Sequence, residues 1–206
     1  MDDRQKSLQQ LGSIDRDPIQ QFNSWLQEAE QAGLPQPNSM TLATSNQQGK
    51  PSARIVLLRG LDEQGFVFFT NYESRKAQDL QENPVAALVF CWLSLSRQVR
   101  VEGTVVTLEA SASDEYFNSR PRGHQIEAHA SPQSQVIQDR FFLENQFKDM
   151  TSAFEGKDVP RPLHWGGYRV IPDSLEFWQE GENRLHDRLR YRRNNTNDWV
   201  IERLAP

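Results

Sequence analysis

Residues 40–71 read Met40-Thr-Leu-Ala-Thr-Ser45, Asn46-Gln-Gln-Gly-Lys-Pro51, Ser52-Ala-Arg-Ile-Val-Leu-Leu-Arg59, Gly60-Leu-Asp-Glu-Gln-Gly65 and Phe66-Val-Phe-Phe-Thr-Asn71. Leu, Val, Ile, Phe and Thr dominate the first, third and fifth segments, while Asn, Gln, Asp and Gly dominate the two between. That is the composition of three strands, Met40 to Ser45, Ser52 to Arg59 and Phe66 to Asn71, joined by turns. The pattern continues at Val85 to Trp92 and Gln98 to Leu108. It returns after Pro160 and Pro162 at Gly167 to Ile171, Ser174 to Gln179, Arg188 to Arg192 and Trp199 to Leu204. Many short strands at close spacing predict a mainly β protein with flanking helices, an α+β chain built on a small antiparallel barrel.

Helical signals flank these strands. Asp17 can cap a helix, Pro18 suits its first position, and Gln20 can complete a capping box. Ile19, Phe22, Trp25, Leu26 and Ala29 then recur at helical spacing up to Gly33. A short helix is expected after Ser74, ending near Asn83-Pro84, and another over about Ser113 to Asn118. A longer one runs from about Gln135 to Phe154, with Phe141, Phe142, Phe147 and Met150 available for one face. Residues 1–16 have little apolar content and are expected to form a mobile arm ahead of a single domain over 17–206.

Composition narrows the chemistry. With 206 residues, 36% hydrophobic and 25% charged, the chain can bury a core and is not a disordered sequence. Its net charge of -5 opposes general attraction to nucleic acid or to an anionic membrane, so any anion must meet a local basic cluster. No apolar run approaches the roughly 18 residues of a membrane span, and the N-terminus lacks a signal-peptide core, so a cytoplasmic protein is expected. A single cysteine, Cys91, excludes an intrachain disulfide and a cysteine-rich metal site. His124, His129, His164 and His186 are scattered, so no metal is expected. Dinucleotide and phosphate-loop fingerprints, His-Glu-x-x-His and Gly-x-Ser-x-Gly are all absent from the sequence.

What remains is a series of blocks where basic and hydroxyl residues stand beside aromatic ones. In Arg54-Ile-Val-Leu-Leu-Arg59, strand alternation sends the two cations to opposite faces, which also suits an ordinary solvated edge strand. Phe68-Phe-Thr-Asn-Tyr-Glu-Ser-Arg-Lys76 leads a strand into a helix start. There Thr70, Ser74, Arg75 and Lys76 can hold a phosphate, or can simply be a cap followed by two solvated cations. In Arg97-Gln-Val-Arg-Val-Glu-Gly103, Gln98, Arg100 and Glu102 share a face opposite Val99 and Val101. Tyr116-Phe-Asn-Ser-Arg-Pro-Arg122 and Ser131-Pro-Gln-Ser134 each read alone as a helix end or a turn. Asn183-Arg-Leu-His-Asp-Arg188 places His186 beside Asp187 in an arginine-rich stretch; the pair can handle a proton or be structural. Together the blocks describe a ligand with phosphate, a flat ring and hydrogen-bonding edges.

In order and wording these blocks, with the terminal Arg203-Leu-Ala-Pro206, resemble the pyridoxine/pyridoxamine 5'-phosphate oxidase family from about Asp17 to Pro206. The resemblance implies an FMN-binding split barrel and a homodimer with FMN at the interface. The implied reaction oxidises pyridoxamine or pyridoxine 5'-phosphate with oxygen to pyridoxal 5'-phosphate and hydrogen peroxide, and involves neither nucleic acid nor membrane. By resemblance, Arg54, Ile55, Val56, Leu57, Leu58, Arg59, Phe69, Thr70, Arg75, Lys76, Gln98, Gln133, Ser134, Trp178 and Arg188 contact FMN. Arg59, Tyr116, Arg120 and His124 would meet the substrate phosphate. Arg184, Leu185 and His186 would lie over the pyridine, with Arg184 and His186 in the catalytic role.

The chain departs from the family pattern at several positions. Arg59 stands where the family more commonly has lysine, His124 where it usually has serine, and Glu127 and His129 where a glycine and a bulky aromatic are common. The arm also lacks the family's Arg-Arg-Glu-Tyr-like string. The Arg59 and His124 departures keep in view a non-catalytic flavin or pyridoxal-phosphate binding protein, and because a barrel does not determine function, a split-barrel flavin oxidoreductase with another substrate is the second alternative.

Overall fold

The structure, a computed structural model, describes residues 14–206. Residues 1–13, the greater part of the expected arm, lie outside the described residues. The remaining part of that arm is attached to the body: Ile14 is buried in the core, and the Asp15 carbonyl accepts the Tyr191 hydroxyl at 2.6 Å.

The described elements run α1 Pro18–Gln31, β1 Ser39–Ser45, β2 Pro51–Leu57, β3 Gly60–Asp62, β4 Gly65–Asn71, α2 Arg75–Glu82, β5 Val85–Trp92 and β6 Arg97–Thr107. They continue with α3 Ala110–Ser119, α4 Arg122–Ala130, α5 Arg140–Ala153, β7 Trp165–Gln179, β8 Asp187–Arg193 and β9 Trp199–Arg203. All strand pairs are antiparallel, in the order β2-β1-β5-β6-β7-β4-β3, with β8 on β7 and β9 on β8. The expected antiparallel barrel is therefore present.

Its curl originates in β7. Sequence reading gives two strands here, divided at Pro172; the chain instead forms one strand from Trp165 to Gln179. Its first half pairs with β4 and its second with β8, while β6 follows it along both. Pro172 donates no hydrogen bond, and the register against β6 shifts between Glu102 and Gly103. A Cβ on Gly103 would stand 2.1 Å from the Ile171 carbonyl oxygen, so glycine is required where the two strands pinch and bend.

Helix α1 closes one end of the barrel. The Asp17 carboxylate accepts from Ile19 N–H at 2.9 Å, and Pro18 occupies the first turn as expected. Its apolar stripe places Phe22 and Trp25 against Phe66, Phe90, Trp92 and Phe177. Truncating Phe22 to Ala would cost about 3–5 kcal/mol. A second, smaller core gathers Phe117, Ile126, Ala128, Val159 and Trp165.

Four local expectations are corrected. The helix expected over Ser113 to Asn118 is longer and is followed by α4. The two are separated at Arg120-Pro121, where Arg120 takes an extended conformation that the following proline favours. Helix α5 starts at Arg140, not near Gln135, because Asp139 is its cap and the preceding segment is drawn toward β4 by Gln133. Its Phe141, Phe142 and Phe147 are exposed and do not form the expected buried face; only Met150 packs on the second core. Ser74 stands at the cap position of α2 but makes no capping bond, and its hydroxyl donates to the Asn71 carbonyl at 2.7 Å. The fourth correction, at β2, shapes the cavity.

Candidate active site

Strand alternation predicts the two cations of the Arg54 to Arg59 block on opposite faces. Strand β2, however, ends at Leu57; Leu58 N–H then bonds the Asn38 carbonyl and Arg59 N–H bonds the Val67 carbonyl, which breaks the alternation. Arg54 and Arg59 consequently line the same cavity, of about 710 Å³, within the range of cofactor sites. Ile55, Val56, Leu57, Phe69, Thr70, Lys76, Tyr116, Arg120, His124 and Gln133 share it, so the structure brings together eleven of the expected site residues beside Arg54.

One end of this cavity is organised by Lys76. Its ammonium donates to Gln133 Oε1 at 2.7 Å, Thr70 Oγ1 at 3.0 Å and Ser74 Oγ at 3.1 Å, all neutral acceptors. Burial, with a smaller push from Arg54, lowers the Lys76 pKa to about 8. Arg54 is oriented from behind: its guanidinium donates to Thr44 Oγ1 at 2.7 Å and Ser52 Oγ at 2.6 Å, and Thr44 in turn donates to the buried Asp79 carboxylate at 2.6 Å. Burial lowers the Arg54 pKa, with Asp79 opposing the shift. Two half-buried cations without a carboxylate hydrogen-bonded to Lys76 form a setting that an incoming phosphate would satisfy.

The other end is built on stacked rings. Phe69 and Tyr116 lie 3.9 Å apart between centroids and Phe69 and Trp165 5.5 Å, nearly parallel in both cases. Arg120 is laid over the Trp165 ring at 4.5 Å, with its Nη1 buried and without a hydrogen-bond partner. Burial lowers the Arg120 pKa; Glu127 and Tyr116 counter this, while Arg59 adds to it. An orphaned guanidinium nitrogen in a cavity shared with Arg59 and His124 matches a second anionic group. Trp165, Ser119, Pro121 and Glu127 also line the cavity, and sequence reasoning missed them as site residues. The available signal was Gly166-Gly167 beside Trp165: Gly167 lies opposite Phe69 in register, and a Cβ there would meet the Phe69 ring at 2.8 Å.

The other expected residues lie elsewhere. Leu58 is buried in the core, and Arg75 is exposed at the first position of α2. Ser134 follows Gln133 in left-handed backbone, with φ of 73°. Gln98, Trp178 and Arg188 form one row across three strands, since Gln98 pairs with Trp178 and Trp178 with Arg188. Beside the row, the Trp178 and His186 rings are 4.7 Å apart, and His186 Nδ1 accepts the Gly181 N–H at 3.2 Å. Arg184 and Leu185 are exposed, and Arg184 is left-handed with φ of 64°. Next to the row, the buried Glu176 carboxylate is held by Arg188 at 2.8 Å and by Arg100. Burial would raise its pKa, but the hydrogen bonds and charges of both arginines outweigh that and hold it below the usual carboxylate range. The chain thus carries a cavity and, separately, a row of expected cofactor and substrate residues.

A curled antiparallel sheet beside a cavity lined by Arg54, Arg59, Lys76 and Arg120 describes a split-barrel protein with room for a phosphorylated ligand. The family described as "Pyridoxamine 5'-phosphate oxidase" matches residues 26–153, and "Pyridoxine 5'-phosphate oxidase C-terminal dimerisation region" matches residues 165–206. Proteins named pyridoxine/pyridoxamine 5'-phosphate oxidase are similar throughout. That of Salinibacter ruber is 59% identical, covering 92% of this chain and 89% of its own, and that of Paraburkholderia xenovorans is 54% identical, covering 95% and 92%. Among solved structures, PhzG from Burkholderia lata, in complex with tetrahydrophenazine-1-carboxylic acid, superposes with a TM-score of 0.90. It is 32% identical and covers 97% of this chain and all of that one. The chain belongs to the pyridoxamine 5'-phosphate oxidase family, and with it to the FMN-binding split-barrel enzymes. Among the described residues no helix is long and apolar enough to cross a membrane.

Proposed function

We propose that this protein oxidises pyridoxamine 5'-phosphate, pyridoxine 5'-phosphate or both to pyridoxal 5'-phosphate, with FMN as cofactor and oxygen as acceptor. The observation that carries the reading is a single cavity with two groups of cations, Arg54 with Lys76 and Arg59 with Arg120, suited to a cofactor phosphate and a substrate phosphate. In this reading Lys76, Thr70 and Gln133 hold the cofactor phosphate, and Arg59, Tyr116, Arg120 and His124 hold the substrate phosphate. Phe69 and the exposed edge of β2 cover the flat rings between them.

The row of Gln98, Trp178 and Arg188, with Arg184 and His186 beside it, includes residues of the segment that matches the family's dimerisation region. Each complete site therefore joins the cavity of one copy to the row of a second. Arg184 and His186 orient the pyridine so that its exocyclic carbon faces the flavin. With Nδ1 accepting from Gly181, His186 presents Nε2 toward the ligand as a donor. FMN bound there would supply a two-electron acceptor for that carbon, with oxygen and two protons giving hydrogen peroxide; for the amine substrate, water then releases ammonia from the imine to leave the aldehyde.

The likeness to PhzG favours a second reading, an oxidase of another small molecule in the same barrel. Turnover separates the two: aldehyde formation from either B6 phosphate supports the first, and none from both supports the second.

A further inference from the structure

We propose that Glu127 is a counter-charge that weakens the grip of Arg120 on the ligand phosphate and so sets affinity and release. This rests on the reading of Arg120 as a phosphate anchor. Among the described residues lining the cavity, Glu127 is the one carboxylate, set among Arg54, Arg59, Lys76 and Arg120. It projects from α4, with its side chain 51% exposed, and its Oε2 stands 3.8 Å from Arg120 Nη2. That separation is outside hydrogen-bond reach yet close enough for charge to act.

Arg120 does not need Glu127 to be held in place. Its guanidinium lies over Trp165 at 4.5 Å and Phe117 at 5.6 Å, and its side chain is only 15% exposed. The carboxylate therefore adds a nearby negative charge without using up a donor, and Nη1 stays free for an anion. A phosphate seated on Nη1 is attracted by Arg120 and Arg59 and repelled by Glu127. Substrate and product carry the same phosphate, so the repulsion acts equally on both. It raises the substrate KM and speeds product departure without touching the chemical step.

The test is equilibrium binding of pyridoxal 5'-phosphate, and separately of inorganic phosphate, to the FMN-loaded wild type, Glu127→Gln, Arg120→Gln and the double variant. Glu127→Gln is expected to tighten both ligands by about 3- to 10-fold at low ionic strength, less at high salt, with KM falling and kcat not rising. In the Arg120→Gln background the same change should have no effect. Unchanged or weaker binding in Glu127→Gln, alongside a loss in Arg120→Gln, overturns the inference and leaves the phosphate-site reading standing. Unchanged binding in Arg120→Gln overturns that reading and the inference with it. Glu127→Ala removes the same charge and should tighten both ligands in the same way, so it replaces the glutamine variant should that one fold poorly.

Discussion

The Lys76 ammonium donates to Gln133 Oε1 at 2.7 Å, and that contact ties the start of α2 to the segment leading into α5. With the flavin phosphate seated here, as proposed, it engages Lys76 alongside or in place of the amide oxygen. Lys76→Met is expected to weaken FMN binding by about 10- to 100-fold and Gln133→Ala by about 3- to 10-fold. Titration of apoprotein with FMN, followed by flavin fluorescence, measures both. Equal affinity in Lys76→Met and wild type contradicts the assignment.

Lys76 also predicts a pH dependence. Its pKa of about 8 in the unliganded fold lies below the ordinary lysine value of 10.5 because burial disfavours the charge. The unfolded chain therefore binds more protons between those values, so this residue's contribution makes stability rise with pH from about 8 to 10.5. A bound phosphate reverses the preference by holding the ammonium. FMN affinity should accordingly fall as pH rises above about 8, with proton uptake on binding near pH 9. Calorimetry in buffers of different ionisation enthalpy reads that uptake. Its persistence in Lys76→Met would assign it to another group.

Glu176, between Arg100 and Arg188, predicts an acid-sensitive contribution. Its carboxyl is held below its ordinary value, so its stabilisation is present above that value and disappears as pH falls through the folded pKa. Glu176→Gln is expected to cost about 1–2 kcal/mol near neutrality, because Arg100 and Arg188 are partly exposed, and progressively less in acid. Urea melts of both proteins at pH 7 and pH 3.5 check this. A deficit that is constant across pH refutes it.

The proposed sharing of each site between two copies predicts complementation. Arg120→Gln alters the cavity and His186→Asn the row, so each homodimer is impaired at both sites. A mixed dimer has one site with both changes and one with neither. Random reassociation should restore about a quarter of wild-type activity, since half the dimers are mixed and each has one intact site. No recovery from co-expressed, differently tagged chains would contradict the joining of one copy's cavity to the other's row.

The strands were legible because their alternation and turn residues are local signals. From Gln98 to Glu102 the strand buries Val99 and Val101 and leaves Gln98, Arg100 and Glu102 on the more open face, as the sequence alternation predicts. Helix α4 was not legible: Arg122-Gly-His-Gln-Ile-Glu-Ala-His-Ala130 has a weak apolar period, and its buried Ile126 and Ala128 find their partners Phe117, Val159 and Trp165 only in the folded chain. The shared cavity of Arg54 and Arg59 was hidden for a similar reason. A two-residue break fixed by hydrogen bonds to Asn38 and Val67 overrides strand alternation, and nothing in the local pattern announces those partners. Trp165 escaped because its stacking with Phe69 and Tyr116 depends on strand register.

The proposed oxidase activity is tested most simply by mixing FMN-loaded protein with pyridoxamine 5'-phosphate, and separately with pyridoxine 5'-phosphate, under air. Pyridoxal 5'-phosphate formation and oxygen uptake are followed together. Coupled turnover of at least one substrate is expected, abolished or strongly reduced in Arg120→Gln. Stably bound yellow flavin with no aldehyde from either substrate would contradict it.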